Sequence, residues 1–415
     1  MARANVLLTL GRLPKALELA RALHEAGCRV VIADPSRWHL SKPSKAVAAS
    51  FQVTGPAINA DRFRADILSI VEKEAIDLVV PISEEALAVA GLADRLPPTT
   101  RLLCARLPTL ERLHDKLHFI ETATAAGLDA PQTYRADRDA AADLALSTET
   151  VVKPRTGCSG GGLAFLDKGA VPAPKQRRDD FLIQQRIRGR EISSLSFCEN
   201  GVVRGNVLYE GRTFAGTVAT AFRRITDAPA AERWIERFVA ACGYSGFIAF
   251  DFIIDEAGRP WPLECNPRLT SGIHFMDPTT LAAAVLGDAP QRPIAHKPER
   301  DFQEGHTTLA LAYGRIFRPR EFLNRLRIIA GSRDVLWSSH DPLPFLLMTP
   351  MSIDILKRVI FKGESFGQAA THDIAWTPPT QTEPTEPSLS RPSALTPTRA
   401  PLPKKVRPHA PALEP

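Results

Sequence analysis

Over the first hundred positions, short apolar runs alternate with stretches of helical period. Val6-Leu7-Leu8-Thr9-Leu10 reads as a buried strand. Pro14 suits an early helical position, the helix continues through Ala26, and Gly27 stops it. Arg29 to Ala33 reads as a second strand ending at Asp34, and a helix from Asp61 to Glu74 leads to a strand from Ile76 to Val80. This order predicts an open, doubly wound α/β unit whose ligands bind beyond the carboxyl ends of the strands. That rule brings Gly11, Arg12 and the segment Pro81-Ile82-Ser83-Glu84-Glu85 to the site. Glu84 and Glu85 are first expected as helix N-terminal acids, and second as partners for an amine. The turn after the first strand lacks G-x-G-x-x-G, which excludes a dinucleotide reading.

Leu107 to Gly127 reads as one helical stretch carrying Lys116. A small α+β lobe follows from about residue 131, then a second lobe with a helix from Ala230 to Cys242 between strands. Further on, Ile353, Leu356, Val359 and Ile360 recur at helical spacing beside Lys357 and Arg358. That region is expected to pack back on the core, with a partner or membrane-surface contact as the weaker alternative. From Pro378 the chain is rich in Pro, Thr, Ser and Glu and is expected to be disordered. The expected partition is therefore an N-terminal α/β domain over 1–104, a small lobe over 105–185 and a large lobe over 186–294. An appendage over 295–376 and a tail over 377–415 complete it.

The strongest chemical signal is a hairpin. Phe250-Asp251-Phe252-Ile253-Ile254-Asp255 and Trp261-Pro262-Leu263-Glu264-Cys265-Asn266-Pro267-Arg268 flank Glu256-Ala257-Gly258-Arg259. With Ala257-Gly258 as a tight loop, Asp251 faces Glu264 across the ladder, and Asn266, two residues on, shares that face. Directly opposed carboxylates repel, and an all-oxygen set suits Mg²⁺ bound together with substrate phosphates. Taken alone, the hairpin is about as well explained by solvated acids.

A nucleotide site is legible upstream. Thr150-Val151-Val152-Lys153-Pro154 reads as a buried strand with one lysine, followed by Gly157, Cys158, Ser159, Gly160, Gly161 and Gly162. Such a loop lets backbone N–H groups approach phosphate oxygens. It is not a P-loop, because no Gly-Lys-Ser/Thr ends it. Phe181 to Gln185 reads as a strand ending in a polar pair, and the linker through Gly189 can offer backbone groups to an adenine edge. Glu191, opening the next strand, can accept hydrogen bonds from ribose hydroxyls.

In this order the motifs resemble the ATP-grasp superfamily, which includes D-alanine–D-alanine ligase, biotin carboxylase and the carbamoyl-phosphate synthetase large subunit. The resemblance covers about residues 105 to 285, and is weaker over 1 to 100. It implies an ATP-grasp fold behind an N-terminal α/β domain. It also implies that Lys116 and Lys153 contact the nucleotide, and that Gly157, Ser159, Gly160, Gly161 and Gly162 cover its phosphates. Gln184, Gln185 and Ile187 match the adenine linker and Glu191 the ribose acid. Asp251, Glu264 and Asn266 match the ligands of Mg²⁺ (or Mn²⁺). Arg268 matches the basic residue at the transferred phosphoryl group or acyl phosphate. Two positions depart from the pattern: Gln184 stands where many relatives carry Glu, and Ala249 stands where some ligases carry Arg.

Composition narrows the remaining classes. The 415-residue chain carries a net charge of +6, with arginines spread rather than clustered, which argues against a nucleic-acid footprint. Its six cysteines form no C-x-x-C pair, which argues against structural zinc and a disulfide framework. The N-terminus runs directly into a strand and is not a signal peptide, and no apolar run is long enough to span a bilayer. A cytoplasmic protein is expected, with a homodimer as the prior for its assembly. His274, in the polar stretch after Arg268, is expected to be structural before catalytic.

The function implied by the resemblance is an ADP-forming ligase. ATP would phosphorylate a small-molecule carboxylate to an acyl phosphate, which an amine then attacks. Carboxylation through carboxyphosphate and ATP binding without turnover are the alternatives.

Overall fold

A computed structural model describes residues 2–157, 162–288 and 293–376. Cys158, Ser159, Gly160 and Gly161 of the glycine-rich stretch, and the tail from residue 377, lie outside the described residues.

Three sheets organise the chain. The first holds β1 (Asn5–Leu8), β2 (Arg29–Asp34), β3 (Val47–Gln52), β4 (Leu78–Val80) and β5 (Arg101–Leu102), all parallel, in the order β3-β2-β1-β4-β5. Its central strands are continuous apolar runs because helices cover both faces. One of these, Pro14–Glu25, has Pro at its start and is followed by Gly27 at φ +86°. The sequence reading lacked β3 and β5: the first is rich in Ala and Ser, and the second is two residues long.

The second sheet is antiparallel, with β6 (Thr133–Arg135), β7 (Thr150–Pro154), β8 (Ala164–Leu166) and β9 (Phe181–Gln185) in the order β6-β9-β7-β8. The third contains β10 (Arg190–Glu199), β11 (Val202–Ala215), β12 (Val218–Ile225), β13 (Gly246–Ile254), β14 (Pro260–Asn266), β15 (Asp301–Gln303) and β16 (Arg333–Asp334). Its order is β14-β13-β10-β11-β12-β15-β16. The expected appendage therefore extends this sheet, since β15 pairs with β12 and β16 with β15.

The same C-terminal region is also tied to the first sheet. The Asp341 carboxylate accepts from Ser44 Oγ at 2.6 Å, Lys45 N at 3.0 Å and Arg21 Nε at 3.0 Å. Asp373 and Asp34 share the buried guanidinium of Arg12, at 2.9 and 2.6 Å.

An aromatic core backs the hairpin β13–β14. Phe250 and Phe252 are fully buried against Trp234 and Phe238, with Phe119 beyond them. Burying each such ring contributes about 1.5–3 kcal/mol. Strand alternation then turns Asp251, which lies between the two phenylalanines, to the opposite face.

Candidate active site

The helical stretch around Lys116 is two helices, Leu107–His114 and Lys116–Ala125, broken at Asp115. Asp115 has extended backbone, and its side chain accepts from Leu117 N at 2.9 Å and His118 N at 3.2 Å, capping the second helix. Its other carboxylate oxygen accepts from Arg155 Nε at 2.6 Å. The cap sets Lys116 at a helix start, where Nζ donates to the Gly157 carbonyl at 2.7 Å and lies 3.3 Å from Glu264 Oε2.

Asp251 does face Glu264, but not by the expected route. The loop is Glu256-Ala257-Gly258, closed by hydrogen bonds between Asp255 and Arg259, with Gly258 at φ +77°. A two-residue Ala-Gly loop would need Ala257 at positive φ, which costs an L-residue about 1–2 kcal/mol. The three-residue loop shifts the register by one. A bulge between Asp251/Phe252 and Glu264/Pro262 shifts it back, with Leu263 as the extra residue.

Around the pair, Ser193 Oγ donates to Asp251 Oδ1 at 2.6 Å, and Asn266 Nδ2 donates to Asp251 Oδ2 at 3.2 Å and Glu264 Oε1 at 3.4 Å. Burial and the facing Glu264 push the Asp251 carboxyl well above its usual range. Burial would push Glu264 up as well, but Lys116 and Lys153 outweigh it and hold that carboxyl down. Among the described residues, no group of three or more His, Cys, Asp or Glu side chains is arranged as a metal site. The donor set here is two carboxylates and an amide. It still fits a hard cation, whose charge would let the two facing carboxylates ionise together. The Asn266 amide proton sits where a shared positive charge is needed. Ligation through Asn266 Oδ1 would require turning the amide, since that oxygen now accepts from Arg268 at 3.0 Å.

Lys153 is buried, and its Nζ donates to Gln184 Oε1 at 2.9 Å and to the Leu263 carbonyl at 2.7 Å. Gln184 Nε2 donates in turn to Thr133 Oγ1 at 2.8 Å. Burial, reinforced by Lys116, lowers the Lys153 pKa to about 7. Gln184 is thus engaged with Lys153 on the sheet, whereas half-buried Gln185 ends β9 and half-buried Ile187 lies in the linker that follows. That linker ends at Gly189, at φ +158°, where a Cβ would lie 2.1 Å from the Ile254 carbonyl oxygen. Only glycine lets linker and hairpin strand approach this closely. Glu191 is exposed on β10, two residues from Ser193 on the same face. Gly157 and Gly162, at φ +103° and +80°, border the part of the loop outside the described residues.

Arg268 reaches the first sheet's domain. Its guanidinium donates to Glu84 Oε1 at 2.7 Å, and Glu84 is 2% exposed. Burial opposes the Glu84 charge, but Arg268 and His114 overcome it and keep the carboxyl low. Glu85 has a different role, accepting from Thr9 Oγ1 and from the backbone of Ile82 and Ser83. His274 is buried, with its Nδ1 3.0 Å from Glu18 Oε2. Ser193 and Thr133 were missed in the sequence. Ser193 was findable, since it lies two residues from Glu191 on a strand already recognised.

A family model described as an ATP-grasp domain matches residues 113–272. No curated protein matches the chain. Among solved structures, N5-carboxyaminoimidazole synthetase from Staphylococcus aureus, complexed with ADP, is similar with a TM-score of 0.57 and 18% identity, over 71% of this chain and 80% of its own. L-amino acid ligase from Bacillus licheniformis gives 0.54 and 16%, over 69% and 75%. Biotin carboxylase from Campylobacter jejuni gives 0.53 and 18%, over 65% and 66%. At these identities the likeness speaks for the fold.

Proposed function

We propose that the protein, whose residues 113–272 match the model of an ATP-grasp domain, is an ADP-forming ligase joining a carboxylate to an amine. The observation that carries the proposal is the convergence of Lys116, Lys153, the Asp251–Glu264 pair and Arg268 between the second and third sheets.

Lys116 and Lys153 hold the nucleotide phosphates, with Gly157, Ser159, Gly160, Gly161 and Gly162 over them. Gln185 and Ile187 flank the adenine, Gln184 supports Lys153, and Glu191 takes the ribose. Asp251, Glu264 and Asn266 would hold Mg²⁺ (or Mn²⁺), which when bound supplies charge neutralisation at the phosphates. A carboxylate oxygen attacks the γ-phosphorus, the bond to ADP breaks, and ADP leaves. Arg268, fixed by Glu84, holds the acyl phosphate in place. An amine nitrogen then attacks the acyl carbon, and phosphate departs. A cytoplasmic location and a homodimer belong to the same proposal.

The test is ADP release from MgATP by the full chain, screened against carboxylates with and without amines, with Glu264→Ala as the blank. Release that needs one acid and one amine, and vanishes in the variant, is expected. An active Glu264→Ala would sink the metal assignment. Bicarbonate as the acid, giving carboxylation, is the second reading. The likeness to N5-carboxyaminoimidazole synthetase and to biotin carboxylase favours it, and release that depends on bicarbonate would select it.

A further inference from the structure

Between β15 and β16 the chain forms a helical hairpin, Gly305–Tyr313 and Pro319–Gly331. The two helices pack on each other, with the rings of Tyr313 and Phe322 in contact at 6.4 Å. Ala312 and Ile328 are buried in this pair. Its far end is different. Phe317, in the turn between the helices, is 97% exposed, and Tyr313, Ile316 and Leu323 are exposed as well. A single exposed apolar side chain is ordinary. These four all lie in the turn or within about one helical turn of it, so they form one apolar tip.

The same stretch is basic. Arginines are spread over the chain as a whole, yet between Tyr313 and Arg327 there are five (Arg315, Arg318, Arg320, Arg325 and Arg327) against the one acid Glu321, a net charge of +4. Glu321 is shared by Arg318 at 3.2 Å and Arg315 at 3.6 Å. Arg320 and Arg327 are exposed and have no acid partner among the described residues. The first helix packs on β11 and β12, and the second leads into β16, at the sheet edge opposite β14. The hairpin is thus attached to the half of the sheet away from Glu264.

We propose that this tip docks the protein on the surface of an anionic lipid bilayer. Phe317 and its apolar neighbours enter the boundary between headgroups and acyl chains, and the arginines engage lipid phosphates and carboxylates. Charge complementarity selects this occupant. A second copy of the chain, meeting the tip about a two-fold axis, would set arginine against arginine. A bilayer is anionic outside and apolar beneath, which suits a leading aromatic ring flanked by long side chains that keep their charge at the interface. The contact is peripheral, since among the described residues no helix is long and apolar enough to cross a membrane. It does not depend on the ligase reading.

The experiment is co-sedimentation of the full chain with vesicles of phosphatidylcholine alone and of phosphatidylcholine with about one-third phosphatidylserine. Wild type should bind the anionic vesicles at least about tenfold more tightly than the neutral ones, and less tightly as salt rises. Ile316→Ser with Phe317→Ser keeps every charge and should still lose about tenfold or more. Arg320→Glu with Arg327→Glu cancels the net charge of the stretch and should abolish the preference for phosphatidylserine. All four positions are exposed, so thermal unfolding of both variants should match wild type. Light scattering should give one oligomeric state for all three proteins. No sedimentation with either vesicle, or equal sedimentation of wild type and the serine variant, overturns the proposal. So does a wild-type dimer that the serine variant dissociates, which would make the tip a contact between copies.

Discussion

Lys153 on β7 donates to the backbone carbonyl of Leu263, 2.7 Å away, at the bulged residue of the hairpin on the facing sheet. The bulge does two things at once. It restores Asp251 opposite Glu264, and it provides an acceptor for a lysine that would otherwise be buried with a neutral amide alone.

The first prediction concerns that lysine. With its pKa at about 7, Lys153 loses its charge as pH rises above neutrality, so affinity for ATP should fall by up to about tenfold per pH unit there. Gln184→Glu supplies an anion to Lys153 Nζ and should move the onset of that loss to higher pH. Calorimetric titration of ATP between pH 6 and 9 reads both curves, and superimposable curves would remove Lys153 from the phosphate contacts.

The opposed carboxylates carry a stability signature. Asp251 has a raised folded-state pKa, so its contribution is intact below the ordinary value of 3.8 and is lost as pH climbs through the folded value. In EDTA, Asp251→Asn should therefore raise Tm at pH 8 and leave it nearly unchanged at low pH, while abolishing ATP turnover. Mg²⁺ should raise the wild-type Tm at pH 8 and have little effect on the variant.

Gly189→Ala would place a Cβ 2.1 Å from the Ile254 carbonyl oxygen, at a backbone angle that L-residues avoid. The expected cost is roughly 2 kcal/mol or more. Denaturant unfolding measures it, and a loss below about 0.5 kcal/mol would contradict the close approach.

Asp34→Ala strips the Arg12 guanidinium of one of its two carboxylates and also orphans Gly11 N and Arg12 N, which donate to Asp34 Oδ2. Breaking such a buried pair costs about 3–5 kcal/mol. Asp373→Ala leaves those amides bonded and should cost less in global unfolding. Because Asp373 is the C-terminal region's contact to Arg12, it should speed proteolysis near residues 366–376. Equal global losses in the two variants would argue against this division.

Much of the candidate site was readable because its chemistry follows strand period. Asp251 between two buried phenylalanines, and Glu264 two residues before Asn266, obey alternation, which needs no knowledge of the rest of the fold. Lys153 in an apolar strand was legible for the same reason. The break at Asp115 was not read, although Asp before a helical run is a capping signal, because the apolar period continues across it. The loop was misjudged by one residue because Ala-Gly fits either turn, and the bulge that compensates leaves no local mark.

The sequence by itself determined the alternation of elements, the order of lysines, glycines and acids, and the face on which Asp251 and Glu264 stand. These depend on neighbours a few residues apart. Tertiary structure alone decided that Glu84 belongs to Arg268, that Gln184 belongs to Lys153, and that His114 is buried with one nitrogen unmatched. It also decided that residues 295–376 complete the large sheet and lock onto Arg12. Those pairings join residues up to 361 positions apart. Local propensity carries no information about them, and they arise only when packed sheets exclude the water that would otherwise satisfy each charge.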